Sequence, residues 1–147
     1  MKCIPLEDLI EMWSDADSII NKTDPQMELL RIPTLHAKYA GQIAAHSASL
    51  KMKNFEYIQM KKLKYDWMSG RMDQAQLTAL GWQQFKFLLK ADMNLYMEAD
   101  PDLIKLQQKK INNEEAIAFC QSVCKELSAR TWQVKSFMDW EKFISGQ

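Results

Sequence analysis

The sequence predicts an all-α protein, and three observations carry that prediction. Gly and Pro are scarce, at four each among 147 residues. Apolar residues recur at steps of three and four along most of the chain, the period of a helix with one buried side. Strand-type alternation is confined to one short stretch, Phe85, Phe87 and Leu89. Apolar residues make up 47% of the chain, enough for a single helical domain with its own core. The expected architecture is a short N-terminal helix, one long central helix, a long C-terminal helix and a final helix, assembling as an oligomer.

Pro5 is placed in the first turn of a short helix that carries Leu6, Leu9, Ile10 and Trp13 and ends near Asp17 to Asn21. Thr23-Asp24-Pro25 is a second start signal, a capping side chain just before a proline. Pro33 is expected to interrupt or restart that helix, which makes residues 1–32 an acidic N-terminal segment. From Pro33 to about Ser69 no further proline occurs and Gly41 is the one glycine. Leu35, Tyr39, Ile43, His46 and Leu50 recur there, so residues 33–71 read as one basic-aromatic helix, on the order of 50 Å long. Ser69-Gly70 is a stop signal. Met72 to Gly81 is expected to be a loop or short turn, Gln83 to Leu89 a short extended piece, and Asp92 to Glu98 a short helix. Asp100-Pro101 opens the next helix, with a capping carboxylate, a preset first residue and a second acid, Asp102, at the positive end of the dipole. That helix is expected to run to about Ala129, with a last helix carrying Trp132, Phe137, Trp140 and Phe143. Residues 100–144 are the expected oligomerisation segment.

The formal net charge is zero, which excludes a protein coated in basic charge but hides a strong asymmetry. Residues 1–30 hold seven acids and two bases; residues 51–71 hold six bases, Lys51, Lys53, Lys61, Lys62, Lys64 and Arg71, against two acids. The basic segment also contains Phe55, Tyr57, Tyr65 and Trp67. Cations neutralise phosphates and release counterions. Aromatic faces stack on unpaired bases with little sequence preference. The combination suits single strands better than duplex, and the candidate nucleic-acid contacts are the six bases together with Tyr65 and Trp67.

Three cysteines are too few for a secreted disulfide framework, no apolar run approaches a membrane span, and Met1 to Leu9 carries acids where a signal peptide needs apolar residues. A cytosolic, reduced, membrane-free protein is the expectation. No catalytic constellation emerges. Cys120 and Cys124 lie one turn apart without two further metal ligands, and His36 and His46 do not share a helix face. No acid is placed to orient His46 beside Ser47 and Ser49. No glycine-rich phosphate loop exists. Glu114 and Glu115 point to different sides of a helix. No enzyme activity, cofactor or metal is therefore expected. Ile117, Val123, Leu127, Trp132, Phe137, Trp140 and Phe143 form an apolar stripe that fits an oligomer interface or an internal core equally well.

One motif narrows the function. Residues 62–71, KLKYDWMSGR, resemble the basic-aromatic motif of the UvsY family of T-even-type phage recombination mediators, which reads roughly KARLDYYSGR. Lys62, Asp66, Ser69, Gly70 and Arg71 match directly. Lys64 stands where the family has arginine and Trp67 where it has tyrosine, while Tyr65 and Met68 replace a leucine and a tyrosine. Ala91-Asp92, Phe119-Cys120, Arg130, Lys135, Asp139, Phe143 and Gly146 fall in a similar order, and Thr131 departs from the expected glycine. The resemblance runs from about Lys51 to the end; the first 30 residues match only in being short, acidic and helical. It implies a non-enzymatic mediator that binds single-stranded DNA coated by the phage single-strand-binding protein. It also implies help for a RecA-like recombinase, UvsX, to nucleate there, and a homo-oligomeric ring, hexamer or heptamer, in the host cytoplasm. The family's DNA-contacting bases carry over to Lys62 and Lys64, with Arg71 a third. Lysine at 64 lacks the planar fork of arginine for bidentate phosphate contact.

Overall fold

The computed structural model describes residues 1–86 and 88–146. Among these every regular element is helical: α1 Leu6–Met12, continued by a π-helical turn Trp13–Asp17; α2 Pro25–Met68; α3 Gln74–Leu80; a 3₁₀ turn Lys90–Asp92 leading into α4 Met93–Glu98; and α5 Pro101–Ile144. The chain forms two compact units, residues 1–49 with 112–147, and residues 50–111.

Four expectations need correction. Pro5 precedes α1 as its N-cap, with extended backbone, rather than standing inside the first turn. Pro33 does not break α2, which runs unbroken from Pro25. Its ring lies on the exposed side, and two steps further in Leu35 and Tyr39 are fully or almost fully buried. A helix-interior proline costs about 3 kcal/mol, whereas burying each such side chain returns roughly 1.5–3 kcal/mol. The two together outweigh the break. Residues 74–80 form a helix, not a loop. Asp73 accepts from the Gln76 amide at 2.8 Å while the Gln76 side chain accepts from the Asp73 amide at 3.2 Å, and Gly81, at φ 69°, turns the chain out. Finally, α5 continues past Ala129 as one helix. Arg130-Thr131 contains neither Gly nor Pro, and the buried face continues at steps of four, three and four through Val123, Leu127, Arg130 and Val134.

The expected starts and stops at other sites hold. Asp24 accepts from the Met27 amide at the head of α2. The Arg71 amide reaches back to the Asp66 carbonyl and the Gly70 amide to that of Trp67, with Gly70 left-handed at φ 76°. The Asp100 carboxylate accepts from the amides of Asp102 and Leu103, both at 3.1 Å. Residues 82–86, 88 and 89 adopt no regular structure, and no strand occurs among the described residues; Phe87 lies outside them.

In the unit of residues 1–49 and 112–147, Leu9, Leu35, Tyr39, Ala116, Cys120, Val123 and Leu127 form the core, flanked by Ile4, Trp13, Ile43 and Phe119. The N-terminal arm is tied to α2 by side chains. Gln42 accepts from the Ile4 amide at 2.8 Å and donates to the Lys2 carbonyl at 3.2 Å. His46 Nε2 donates to the Ile4 carbonyl at 2.9 Å, while Nδ1 meets the Asn113 side chain at 2.9 Å. His46 is thus occupied as a structural bridge. Burial, with Cys124 adding to it, pushes the Cys120 thiol up to about 11, which leaves it unreactive.

A polar network closes the end of the π turn. Arg130 donates to the carbonyls of Asp17 and Ser18, both at 3.1 Å, and its guanidinium lies over the Trp13 ring. The buried Asp17 carboxylate accepts from Lys38 and, at 2.8 Å, from the Tyr39 hydroxyl. Burial by itself would raise the Asp17 carboxyl, but the hydrogen bonds from Lys38 and Tyr39 and the nearby cations outweigh it and hold the group below its ordinary 3.8. A carboxyl lowered on folding stabilises the fold fully above its unfolded value and loses that contribution as pH falls through the folded value. Asp17→Asn is therefore expected to lower stability at neutral pH and to flatten the loss of stability in the acid range below 3.8. Urea unfolding of both proteins across that range checks this; parallel pH curves refute it.

Candidate nucleic-acid interface

Between residues 50 and 68, α2 has two sharply different sides. Lys51, Phe55, Ile58, Lys62 and Tyr65 step by four and three, so they share one side of the helix. All five are exposed, Phe55 and Ile58 at 62% each. Two bases and three apolar or aromatic side chains are thus interspersed along one surface row. Lys61 is also exposed, one position around the helix. Lys53 is half-buried. Lys62 pairs with Asp66 at 3.0 Å, but its side chain is 79% exposed, so water screens that pair and a phosphate can displace it. Just past the helix, Arg71 lies over the Tyr65 ring at 5.5 Å, which brings a cation and an aromatic face together at the surface.

The opposite side is a core. Met68, Met93, Met97 and Leu103 are buried, with Tyr57, Met60, Trp67, Phe85 and Leu88 against them. Trp67 belongs here, not to the exposed row. Its Nε1 donates to the Gln83 carbonyl at 2.7 Å, and its ring packs 4.9 Å from both Trp82 and Phe85. Lys64 belongs here too. Residues two apart on a helix are separated by about 200°, so Lys62 and Lys64 cannot share a face. The Lys64 side chain is 5% exposed, and its ammonium donates to Asp100 at 3.1 Å and Asp102 at 2.7 Å. It lies over the rings of Trp67 and Trp82, at 4.9 and 4.5 Å. Burial pulls the ammonium toward losing its proton, but the bonds from Asp102 and Asp100 win and hold its pKa above the usual lysine value. In this structure Lys64 is thus buried and paired, and Trp67 is half-buried with its ring against Trp82 and Phe85.

Phe55 and Ile58 belong to the surface row although they are not among the contacts expected from the sequence. The signal was present in the 51-55-58-62-65 spacing, but that spacing is equally good for a buried stripe. Asp100 and Asp102, the partners of Lys64, carried no such signal, because they lie far along the chain.

The expected oligomer stripe also divides. Val123 and Leu127 are buried in the core, at 2% and 0%, as the core alternative for that stripe expects. Ile117 and Phe137 are half-buried. Trp132, Trp140 and Phe143 are 74, 59 and 74% exposed, and the rings of Trp140 and Phe143 stack on each other at 5.7 Å. Among the described residues no cluster of three metal-ligating side chains occurs, and no helix is long and apolar enough to cross a membrane.

The two sides of α2 differ in what they do for stability. Tyr65→Ala is expected to change unfolding free energy by no more than about 0.5 kcal/mol, as surface substitutions do. Trp67→Ala is expected to cost on the order of 2–3 kcal/mol, somewhat below a fully buried tryptophan. Denaturant titrations followed by circular dichroism decide; equal costs would dissolve the distinction.

No curated protein matches the chain by sequence. Two solved structures of the bacteriophage T4 recombination mediator protein UvsY are similar to it. The crystal structure in lattice type II superposes with a TM-score of 0.82 at 21% identity, covering 97% of this chain and 98% of that one. The structure in lattice type IV superposes with a TM-score of 0.81 at 22% identity, covering 95% and 99%. At that identity the likeness establishes a common fold. The family described as recombination, repair and ssDNA binding protein UvsY matches residues 12–147, reaching into the acidic segment beyond the motif itself. With the family pattern met over nearly the whole chain and the same helical fold behind it, this chain belongs to the UvsY family.

Proposed function

We propose that this protein is a recombination mediator that binds single-stranded DNA along the exposed row of α2. The observation that carries the reading is that Lys51, Phe55, Ile58, Lys62 and Tyr65 share one solvent-facing side, with Lys61 and Arg71 beside it. Lysines meet phosphates at a helical pitch, and the aromatic faces between them receive unpaired bases. Family membership supports the same chemistry, since the family is described by recombination, repair and single-strand binding. The finer role, which the resemblance of the 62–71 motif implies, is to help a RecA-like recombinase load onto strands already covered by the single-strand-binding protein. Such a mediator works by positioning and avidity and needs no catalytic group.

Several copies in a ring would turn weak single contacts into tight binding, because each later contact is intramolecular. The exposed Trp132, Trp140 and Phe143 are the surface proposed for that self-association. Unpartnered aromatics of this size on a soluble chain mark an interaction face.

Fluorescence anisotropy of a labelled oligonucleotide, single-stranded and then duplex, at several salt concentrations tests the binding. Expected are preference for the single strand and affinity that falls steeply with salt. Lys62→Ala should weaken binding and flatten the salt dependence. Phe55→Ala should cost about 1–3 kcal/mol of affinity with the salt slope kept. No binding at low salt would leave a helical oligomeric adaptor instead. Sedimentation tests the assembly: Trp140→Ala and Phe143→Ala are expected to reduce its size, and unchanged particles in both variants refute the C-terminal interface.

A further inference from the structure

We propose that Lys64 is a positioning residue for strand binding: it holds α2 in the rotation that turns Lys51, Phe55, Lys62 and Tyr65 outward, without touching the strand. This rests on the single-strand reading above and assigns a motif lysine a role different from that of its neighbour.

The argument starts from the core that α2 packs on. Three of its four buried residues, Met68, Met93 and Met97, are methionines. Methionine is unbranched and adapts to many packings, so such a core accepts small rotations of a helix without a large penalty. Directional contacts must therefore select one rotation. Lys64 supplies them. Its ammonium meets two separate carboxylates, Asp100 and Asp102, and the faces of two indoles, Trp67 and Trp82. Asp100 is itself buried and bonded on both oxygens: one caps α5 through the amides of Asp102 and Leu103, and the other receives Lys64. The clasp thus references α2 to a fixed helix end. A buried ion pair is a weak source of net stability but a good source of register, because every wrong register leaves a charge unpaired. With Lys64 turned in, helix geometry alone puts Lys62 about 200° away, on the surface.

The test uses the full-length protein, a fluorescein-labelled single-stranded oligonucleotide, and temperatures well below unfolding. Lys62→Ala should lower the slope of log affinity against log salt by about 0.7 for each subunit engaged. Lys64→Met should lower affinity severalfold with the slope unchanged and shift the tryptophan emission, since the ammonium lies against two indoles. Lys64→Arg should restore most of the affinity. Should Lys64→Met alone not fold, Lys64→Met with Asp100→Asn removes the buried one of the two orphaned carboxylates, leaving the solvated Asp102, and carries the same expectation. A slope that falls as it does in Lys62→Ala would overturn the proposal in favour of direct phosphate contact. Wild-type affinity in a folded but less heat-stable Lys64→Met would overturn it in favour of a purely structural lysine. A wild-type protein that binds no single strand overturns the strand-binding reading and this role together, whereas the other two outcomes leave that reading standing.

Discussion

In residues 50–111 the inward side of α2 is held by the Lys64 ammonium together with Trp67 and Met68, and this leaves the row from Lys51 to Tyr65 facing outward. A buried cation is tolerated only when opposite charge and hydrogen bonds meet it. Here two carboxylates and two indole faces do so. The sequence places those partners in three different elements: the helix itself, the loop after α3, and the start of α5. Joining them determines which residues of the basic segment reach solvent. A point charge suits this site, since the two acceptors are separate carboxylates and not one carboxylate waiting for a planar fork.

The unit of residues 1–49 and 112–147 is built on a different logic. Its core is conventional, with Leu9, Tyr39, Cys120 and Leu127 fully buried. Its polar contacts satisfy the ends of the π turn through Arg130 and hold the Asp17 carboxylate between Lys38 and Tyr39. Because Arg130 is used in this way, α5 passes the expected break as continuous helix. The aromatics beyond it, Trp132, Trp140 and Phe143, then stand on the exposed side of one continuous helix. Side chains that look like one apolar stripe in the sequence are thereby divided between core and surface.

The same division applies to the basic segment. A protein that handles single strands without sequence preference needs cations and flat apolar faces in alternation, and it needs them in one line. The segment holds more of both than the surface row uses. Trp67, Tyr57 and Lys64 serve the interior, while Phe55, Tyr65 and Lys62 remain outside. That a fold shared with the T4 mediator persists at 21% identity agrees with a structure specified by its pattern of burial more than by particular residues.

By itself the sequence determined the helical class, the start of α5 at Asp100-Pro101, the stop at Gly70, the charge asymmetry and the family. Each of these is written locally, in periodicity, caps and a short motif. The capping box at Asp73 and Gln76 is local too, in a stretch whose composition otherwise suggests a loop. The tertiary structure alone decided the fate of Pro33, the continuity of α5, and which lysines and aromatics face outward. Helix geometry states that Lys62 and Lys64 point apart, but which of them turns inward depends on Asp100 and Asp102. Their approach is a matter of chain folding, and periodicity along one helix carries no record of a charge more than thirty residues away.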